Sequence, residues 1–175
     1  VFMKRLFAVM LAVCIVIASL SGCAAKSNDM STAELEKLYS DAITGARDDE
    51  LNEAYPVTLG SNDVSDEVVA DMLNQLLGFS AEDAYACAIS VSLMNTQAYG
   101  IVAVKPAEGK EDAVKDGLQG FIDQQCANFE MYLADQYDIA KSARLETLDD
   151  GTVLMVMCPD QDTVFNSIAK SIENA

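Results

Sequence analysis

The residue with the clearest chemistry is Cys23, which follows Leu20, Ser21 and Gly22 at the end of an apolar run. A thiolate is the nucleophile at this boundary that is suited to forming a thioether with a diacylglyceryl group. The small Ser21 and Gly22 leave space for a peptidase to reach the bond before the cysteine. The pattern therefore predicts a lipid on Cys23, with Leu20, Ser21 and Gly22 recognised by a signal peptidase.

The segment before Cys23 has the features of a secretory signal. Lys4 and Arg5 form a short basic region, and residues 6–20 form an apolar run in which Ser19 is the only polar residue. As a helix, this run would be about 22 Å long, which is short against a hydrocarbon core of about 30 Å. The run is therefore typical of a signal peptide rather than of a permanent membrane span.

The arrangement around Cys23 resembles the lipobox of bacterial lipoproteins. The resemblance implies that the protein is held on the extracytoplasmic face of the cell membrane by the lipid on Cys23. Two alternatives stay open: a cut near Ser21 by an ordinary signal peptidase would release a soluble protein, and an uncleaved run would leave a membrane anchor. The expected organisation is a lipoprotein signal peptide, a flexible tether and a single α+β domain, at residues 1–22, 23–30 and 31–175.

The charge of the chain makes nucleic acid an implausible partner. The sequence has 28 acidic and 11 basic residues, for a net charge of −17. Loss of residues 1–22 removes Lys4 and Arg5 and no acidic residue, which would bring the net charge to −19. Nucleic-acid binding depends on Lys and Arg side chains that neutralise phosphates. The acidic residues are scattered and contain no calcium-binding loop motif, so we expect a solvated surface with no metal and no cofactor.

The absence of histidine narrows the possible enzyme chemistry. The sequence has no histidine, which excludes a Ser-His-Asp triad and a histidine zinc site. A pair of carboxylates remains possible, because glycoside hydrolysis needs two acids at a fixed separation and a wall glycan would suit this location. No acidic residue has an obviously apolar setting apart from weak cases such as Glu130, so we expect no catalytic residue and no enzyme activity.

Three cysteines follow Cys23, at Cys87, Cys126 and Cys158. Their spacings match no zinc or thioredoxin motif. Their number is odd, and each lies at an inward or strand-end position that suits a small apolar side chain. The sequence favours free, buried thiols, with one disulfide and one free thiol as the alternative.

Apolar periodicity predicts five helices after the tether. The first begins with a capping box, in which Ser31 is followed three residues later by Glu34. The predicted helices span residues 31–45, 65–78, 108–133, 135–142 and approximately 164–172. Gly117 and Gly120 lie inside the long helix, where they would permit close packing against a sheet or produce a bend.

Alternating apolar residues predict two β-hairpins. The first joins residues 84–93 to residues 99–105, and the second joins residues 144–148 to residues 152–158 through the Asp149-Asp150-Gly151 turn. Residues 46–64 are read as a connection with a short extended piece at residues 57–59. We therefore expect an α+β fold with a four-stranded antiparallel sheet built from two strand-strand-helix repeats. Helices would cover largely one face of it, with two further N-terminal helices.

Several short motifs occur in the order found in a known family. They are Ile89-Ser90-Val91-Ser92-Leu93-Met94-Asn95, residues 101–105, Tyr132-Leu133-Ala134-Asp135-Gln136-Tyr137 and residues 153–156. Together they resemble the bacterial lipoprotein family called domain of unknown function 4358, across residues 35–172. Ala134 and Tyr99-Gly100 depart from the family pattern. The resemblance implies an extracytoplasmic lipoprotein, and it carries no catalytic or binding residues to transfer.

The sequence leaves two classes of function in contention. The favoured one is a membrane-anchored, non-catalytic accessory module of the cell envelope that binds an envelope protein or a peptide. It would use a small, flat sheet face that consists of Ala86, Ala88, Ser90 and Ser92. The alternative is a small-ligand or peptide receptor with a pocket anchored by aromatic residues such as Tyr85, Tyr99 and Tyr132. A wall hydrolase that uses two carboxylates is the weaker third possibility.

Overall fold

The computed structural model of the protein describes residues 30–60 and 66–175. The predicted signal peptide, Cys23 with its preceding Leu20, Ser21 and Gly22, and most of the tether lie outside these ranges. The described helices are α1 Thr32–Gly45, α2 Asp49–Ala54, α3 Glu67–Asp71, α4 Glu111–Phe129, α5 Ala134–Lys141 and α6 Gln161–Glu173. The described strands are β1 Thr58–Gly60, β2 Ala84–Val91, β3 Gly100–Pro106, β4 Arg144–Thr147 and β5 Val153–Met157.

The strands form one antiparallel sheet in the order β1-β2-β3-β5-β4. This arrangement confirms the α+β class and both hairpins, but the sheet has five strands where four were predicted. The additional strand is β1, which pairs Thr58 with Ile89 and Gly60 with Cys87. A strand of three residues is too short to show an alternating pattern, so the sequence indicated only an extended piece there.

One face of the sheet is covered by α4 and by the turn that follows α3. This turn, Met72–Leu76, is π-helical and continues α3 without a break. Leu73, Leu118 and Phe121 are buried there against strand residues such as Cys87 and Val102. From Cys87 onwards, after the irregularity between Ala84 and Ala86, the odd-numbered residues of β2 point to this side, as the period of two requires.

The opposite face is covered by α1 and α6, so the expectation that helices lie largely on one face is wrong. Tyr39 and Ile43 of α1 and Ile168 of α6 are buried against this face. The small residues that were expected to form an open sheet surface are instead inside the molecule: Ala86, Ala88, Ser90 and Ser92 are 0%, 0%, 0% and 9% exposed. Small side chains let a helix approach a sheet closely, and this close approach explains the pattern without a partner protein.

The ends of the elements follow ordinary local chemistry. Ser31 and Glu34 form the predicted capping box of α1. The second hairpin turns at Gly151, whose φ of +85° favours glycine. The segment predicted to be a connection contains α2, a helix of six residues whose N-terminus is capped by Asp48. Six residues are too few for an apolar period, so this helix was missed.

The two glycines of α4 have different surroundings. A Cβ on Gly117 would lie 2.6 Å from the carbonyl oxygen of Leu77, whereas a Cβ on Gly120 would have no atom within 4 Å. Gly117 therefore permits a close approach, but to the turn after α3 rather than to the sheet. An alanine at Gly120 would meet no other atom, so packing does not require a glycine there.

Candidate binding cleft at the end of β2

A cleft of about 330 Å³ opens beside the C-terminal end of β2. Its walls come from the α2–β1 connection, the turn after α3 and the end of the first hairpin. Its lining includes Tyr55, Pro56, Met72, Val91, Leu93 and Met94. None of the residues that line it is acidic, so it holds no carboxylate pair of the kind that glycoside hydrolysis needs.

The outer edge of β2 is open where it borders the cleft. In an antiparallel sheet, successive residues direct their backbone groups to opposite neighbours. Ser92 N–H donates to the Tyr99 carbonyl on the β3 side, at 3.0 Å, so the backbone groups of Val91 point to the β1 side. β1 begins at Thr58, opposite Ile89. Within the described residues, the N–H and C=O of Val91 therefore have no strand to pair with.

Two exposed apolar side chains form the outer rim of the cleft. Leu93 is 77% exposed and Met94 is 55% exposed, in the loop that follows β2. Isolated exposed apolar residues are common on protein surfaces, but a group of them beside a cleft is typical of a binding site. Their burial in a complex would contribute about 2 kcal/mol each at full burial.

The wall opposite the rim is positioned by Arg47, just after α1. Its Nη1 donates to the Tyr55 carbonyl at 3.1 Å, to Ser90 Oγ at 2.7 Å and to the Tyr99 hydroxyl at 2.7 Å. Its Nε donates to Asn52 Oδ1 at 3.0 Å. One guanidinium group thus joins α2, β2 and β3. Its Nη2 is buried and has no hydrogen-bond partner among the described residues.

Tyr55 lines the cleft and is supported from behind by Tyr99. The rings of Tyr55 and Tyr99 are stacked, with centroids 3.9 Å apart and planes 12° apart. The Tyr55 hydroxyl also donates to Gln97 Oε1. Burial raises the pKa of Tyr99, although its bond from Arg47 opposes this shift. Tyr99 is therefore a buried, neutral part of the framework and not an anchor in an open pocket.

The three aromatic residues predicted as possible ligand anchors do not come together. Tyr99 is buried, and Tyr85 lies at the opposite end of β2 from the cleft. Tyr132 lies in the α4–α5 loop, 88% exposed. None of the three lines the cleft. Tyr55 has that position instead, and the sequence offered no signal for it because the residue follows an acidic helix without apolar periodicity.

The exposed charges that adjoin the cleft are negative, whereas the guanidinium of Arg47 lies behind Tyr55 and is bonded to neutral oxygens. Glu53 precedes cleft residue Ala54, and Asp71 precedes cleft residue Met72; both acids are exposed. The cleft therefore combines an apolar lining with a negative surround, which attracts cations.

The comparison with known families places the strands of this cleft within a described domain. A family model described as "Domain of unknown function (DUF4358)" matches residues 60–158, which is more than half of the chain. The chain belongs to this family. The match runs from the end of β1 to just beyond β5, which confirms the resemblance over a narrower range than residues 35–172. No curated protein and no solved structure matches the chain.

The DUF4358 segment contains part of the cleft but not the arginine that shapes it. Val91, Leu93 and Met94 lie inside the matched range, whereas Arg47 and Tyr55 precede it. The α1 and α6 helices that cover one sheet face also lie outside the match. The cleft is therefore built jointly by the family segment and by the residues before it.

The three cysteines of the DUF4358 segment are free, as the sequence favoured. Cys87 and Cys158 are buried in separate clusters on opposite faces of the sheet, so they cannot form a disulfide with each other. Cys126 is only partly buried. Burial raises the pKa of Cys87 to about 12 and that of Cys158 to about 11. Both thiols are therefore protonated and inert at neutral pH.

The shifted carboxyl groups of the described chain all have lowered pKa values, and they lie away from the cleft. Asp83, the clearest case, accepts hydrogen bonds from Lys110 and Ser80, which lower its pKa to about 2. Glu34 and Asp135 have lowered pKa values because of hydrogen bonds from Ser31 and Gln136. These shifts favour the ionised form and arise from caps and ion pairs. Residues 30–60 and 66–175 contain no cluster of three or more side chains placed to hold a metal.

Within residues 30–60 and 66–175, no helix is both long enough and apolar enough to span a membrane.

Proposed function

We propose that this protein is a lipid-anchored, non-catalytic accessory module of the cell envelope, held on the extracytoplasmic face of the membrane through Cys23. It binds an envelope protein or a peptide in the cleft at the end of β2. The observation that carries this proposal is the open edge of β2 at Val91 beside the exposed Leu93 and Met94. An unpaired strand edge with an apolar rim is a recurring way to bind a protein segment.

The position of Met30, the first described residue, supports this role. Met30 lies beside the first residues of β2, where the Tyr85 hydroxyl donates to its carbonyl at 3.4 Å. The cleft lies at the other end of the same strand, which is about 23 Å away at 3.3 Å per residue. A lipid attached before Met30 would hold that end near the membrane. The cleft would then be presented to proteins farther from the bilayer.

The alternative of a small-ligand receptor receives less support. Small-molecule sites typically enclose most of the ligand in about 300 to 1,000 Å³. This cleft is at the lower limit of that range, and its apolar rim at Leu93 and Met94 faces outward. A partner that extends beyond the cleft buries this rim, whereas a small ligand leaves it in water.

The anchoring part of the proposal is tested by fatty-acid labelling in the producing bacterium. A radiolabelled fatty acid should be incorporated into the protein, and Cys23→Ala should abolish the label and release the protein from the membrane fraction. Cys126→Ala is the matched control, because it removes a partly buried cysteine of the domain. Release of an unlabelled wild-type protein would favour an ordinary signal peptide and refute the anchor.

The binding part is tested by photocrosslinking in intact cells. A photoreactive phenylalanine analogue in place of Leu93 should give a discrete adduct with one envelope protein. The matched control is the same analogue in place of Met131, which is also 77% exposed but lies in the α4–α5 loop. Equal adducts at both positions, or none at Leu93, would contradict the proposed binding surface.

A further inference from the structure

The cleft also specifies the kind of segment that would fill it. We propose that it takes an extended, positively charged segment of a partner protein, which pairs with the outer edge of β2 at Val91 and adds a strand in line with β1. This inference rests on the proposed binding function and deepens it. It follows from three independent properties of the described residues: backbone groups, side-chain alternation and charge.

Among the described residues, the backbone of β2 has no strand partner on its β1 side beyond Ile89. β1 pairs with β2 at Gly60 and Thr58 and then stops. Continued by two residues, this register places Pro56 opposite Val91, and Pro56 has no N–H to donate to the ladder. Val91, whose backbone groups point to this side, lines the cleft together with Pro56. An extended segment can satisfy both groups with its own N–H and C=O, whereas a helix has none to spare.

The side chains around this edge suit alternate residues of a strand. Ile89 and Val91 are two residues apart and lie on one side of β2, and Leu93, in the loop that follows, also lines the cleft. Met72 and Pro56 contribute to the facing walls. A strand that pairs with Val91 would direct every second side chain into this apolar lining. Its other side chains would point to solvent and to the acidic surround.

The exposed side chains at the borders of the cleft determine the charge that the segment should carry. Glu53 and Asp71 are exposed there and adjoin cleft residues, whereas Arg47 is turned towards Tyr55, Ser90 and Tyr99. A segment with Lys or Arg at its outward positions meets opposite charge. A second copy of this chain is disfavoured, because two molecules of the same strongly negative charge repel each other. An anionic lipid surface is disfavoured for the same reason.

The test uses the full lipidated chain in nanodiscs of uncharged lipid. The probe is a fluorescent, end-blocked peptide of about seven alternating valine and lysine residues, a typical strand length. We expect saturable binding, measured by anisotropy, that weakens as salt rises.

A peptide with glutamate in place of lysine should bind at least about tenfold more weakly. Two further peptides are methylated on the backbone nitrogens of the valines or of the lysines. Only the peptide whose methyl groups face β2 should lose at least about tenfold, because alternate N–H groups of an added strand point away from the sheet.

Variants locate the binding on the protein. Leu93→Lys should weaken the valine-lysine peptide at least about fivefold through repulsion and lost apolar contact. Met131→Lys, at the same exposure, should leave binding unchanged. Val91→Pro removes the N–H that points to the β1 side and leaves the hydrogen bonds to β3 in place. A thermal melt of this variant shows whether the fold is retained. Amide resonances near Val91 should shift when the peptide is added to the wild-type protein.

Several results would overturn this inference. Equal binding of the methylated peptides would show that no strand is added, and equal binding of the glutamate peptide would remove the charge argument. Concentration-dependent self-association lost in Leu93→Lys would make a second copy the occupant. If the valine-lysine peptide fails while the Leu93 photocrosslink succeeds, the binding function stands and the extended cationic segment is wrong. If the photocrosslink at Leu93 fails as well, both proposals fall.

Discussion

The two ends of β2 are built in opposite ways. At the N-terminal end, the buried Asp83 is bonded to Lys110 at 2.7 Å and to Ser80 at 2.7 Å, and Gly78 and Gly117 bring two backbones into contact. At the C-terminal end, the edge of the strand is open and Leu93 is largely exposed. We call these the closed end and the open end.

The two ends also differ in whether their charged side chains are paired with an opposite charge. The charge of Asp83 at the closed end is matched by Lys110. At the open end, Arg47 donates to neutral oxygens and has no carboxylate among its described partners. Desolvating a cation without a counter-ion is costly. The charge at the closed end is thus compensated, whereas the open end keeps a guanidinium without a counter-ion among its described partners.

The largest effect is expected at the open end, from Arg47→Met. The substitution removes four hydrogen bonds and should lower the free energy of unfolding by about 3 kcal/mol, because buried partners such as Ser90 lose a charged donor. It should also weaken binding in the cleft, since Tyr55 loses its support. Urea denaturation measures the first effect.

The control for this prediction is Arg144→Met. Arg144 pairs with Glu146 and Asp162, which are largely exposed, and lies over the ring of Phe165. Its loss should therefore cost about 1 kcal/mol. Equal losses for the two arginines would show that Arg47 has no special place in the structure.

The next effect belongs to the closed end. Gly117→Ala places a Cβ 2.6 Å from a backbone oxygen and should lower the free energy of unfolding by about 2 kcal/mol, because backbone cannot move aside cheaply. Gly120→Ala, one turn later, meets no atom within 4 Å. It should raise the free energy of unfolding by up to about 1 kcal/mol, through helix propensity. Thermal melts of the two variants compare them directly, and a shift in the same direction for both would contradict the close contact.

Much of the fold was predictable because its signals are local. A few residues were enough to predict the local conformation in three places: the capping box at Ser31, the alternation along β2 and the Gly151 turn. What failed was the arrangement of layers. The small residues Ala86 and Ala88 read equally well as an open face or as a face that a helix covers. Periodicity shows that a side chain faces one way but not what lies there.

The candidate site was less predictable than the fold. The cleft brings together Arg47, Tyr55 and Val91, whose sequence separations carry no motif. Its open edge depends on β1 beginning only at Thr58, opposite Ile89, and this pairing depends on contacts between distant parts of the chain. The apolar Leu93 and Met94 were visible in the sequence, but as the end of a strand. Lipid attachment at Cys23 stays a prediction, because the described structure begins after it.

The closed end should also show a characteristic pH dependence. The pKa of Asp83 is lowered from its ordinary 3.8 to about 2, so its ionised form stabilises the folded state. That stabilisation is complete above about pH 4 and is lost as the pH falls towards about 2. Asp83→Asn should therefore cost about 1 to 2 kcal/mol at neutral pH and almost nothing at pH 2. A difference between the two proteins that stayed constant with pH would exclude the carboxylate as its cause.

The smallest effect on stability should come from a substitution of Leu93, on the rim of the cleft at the open end. Leu93→Ala should change the free energy of unfolding by less than about 0.5 kcal/mol, because a residue 77% exposed makes few contacts to lose. The matched core substitution, Leu73→Ala, removes a side chain that is 0% exposed and should cost about 2 to 5 kcal/mol. A large loss from Leu93→Ala would mean that this leucine belongs to the core and that the cleft is not open as described. A negligible loss leaves an exposed leucine that folding does not require, and the same variant can then be used to measure its contribution to binding alone.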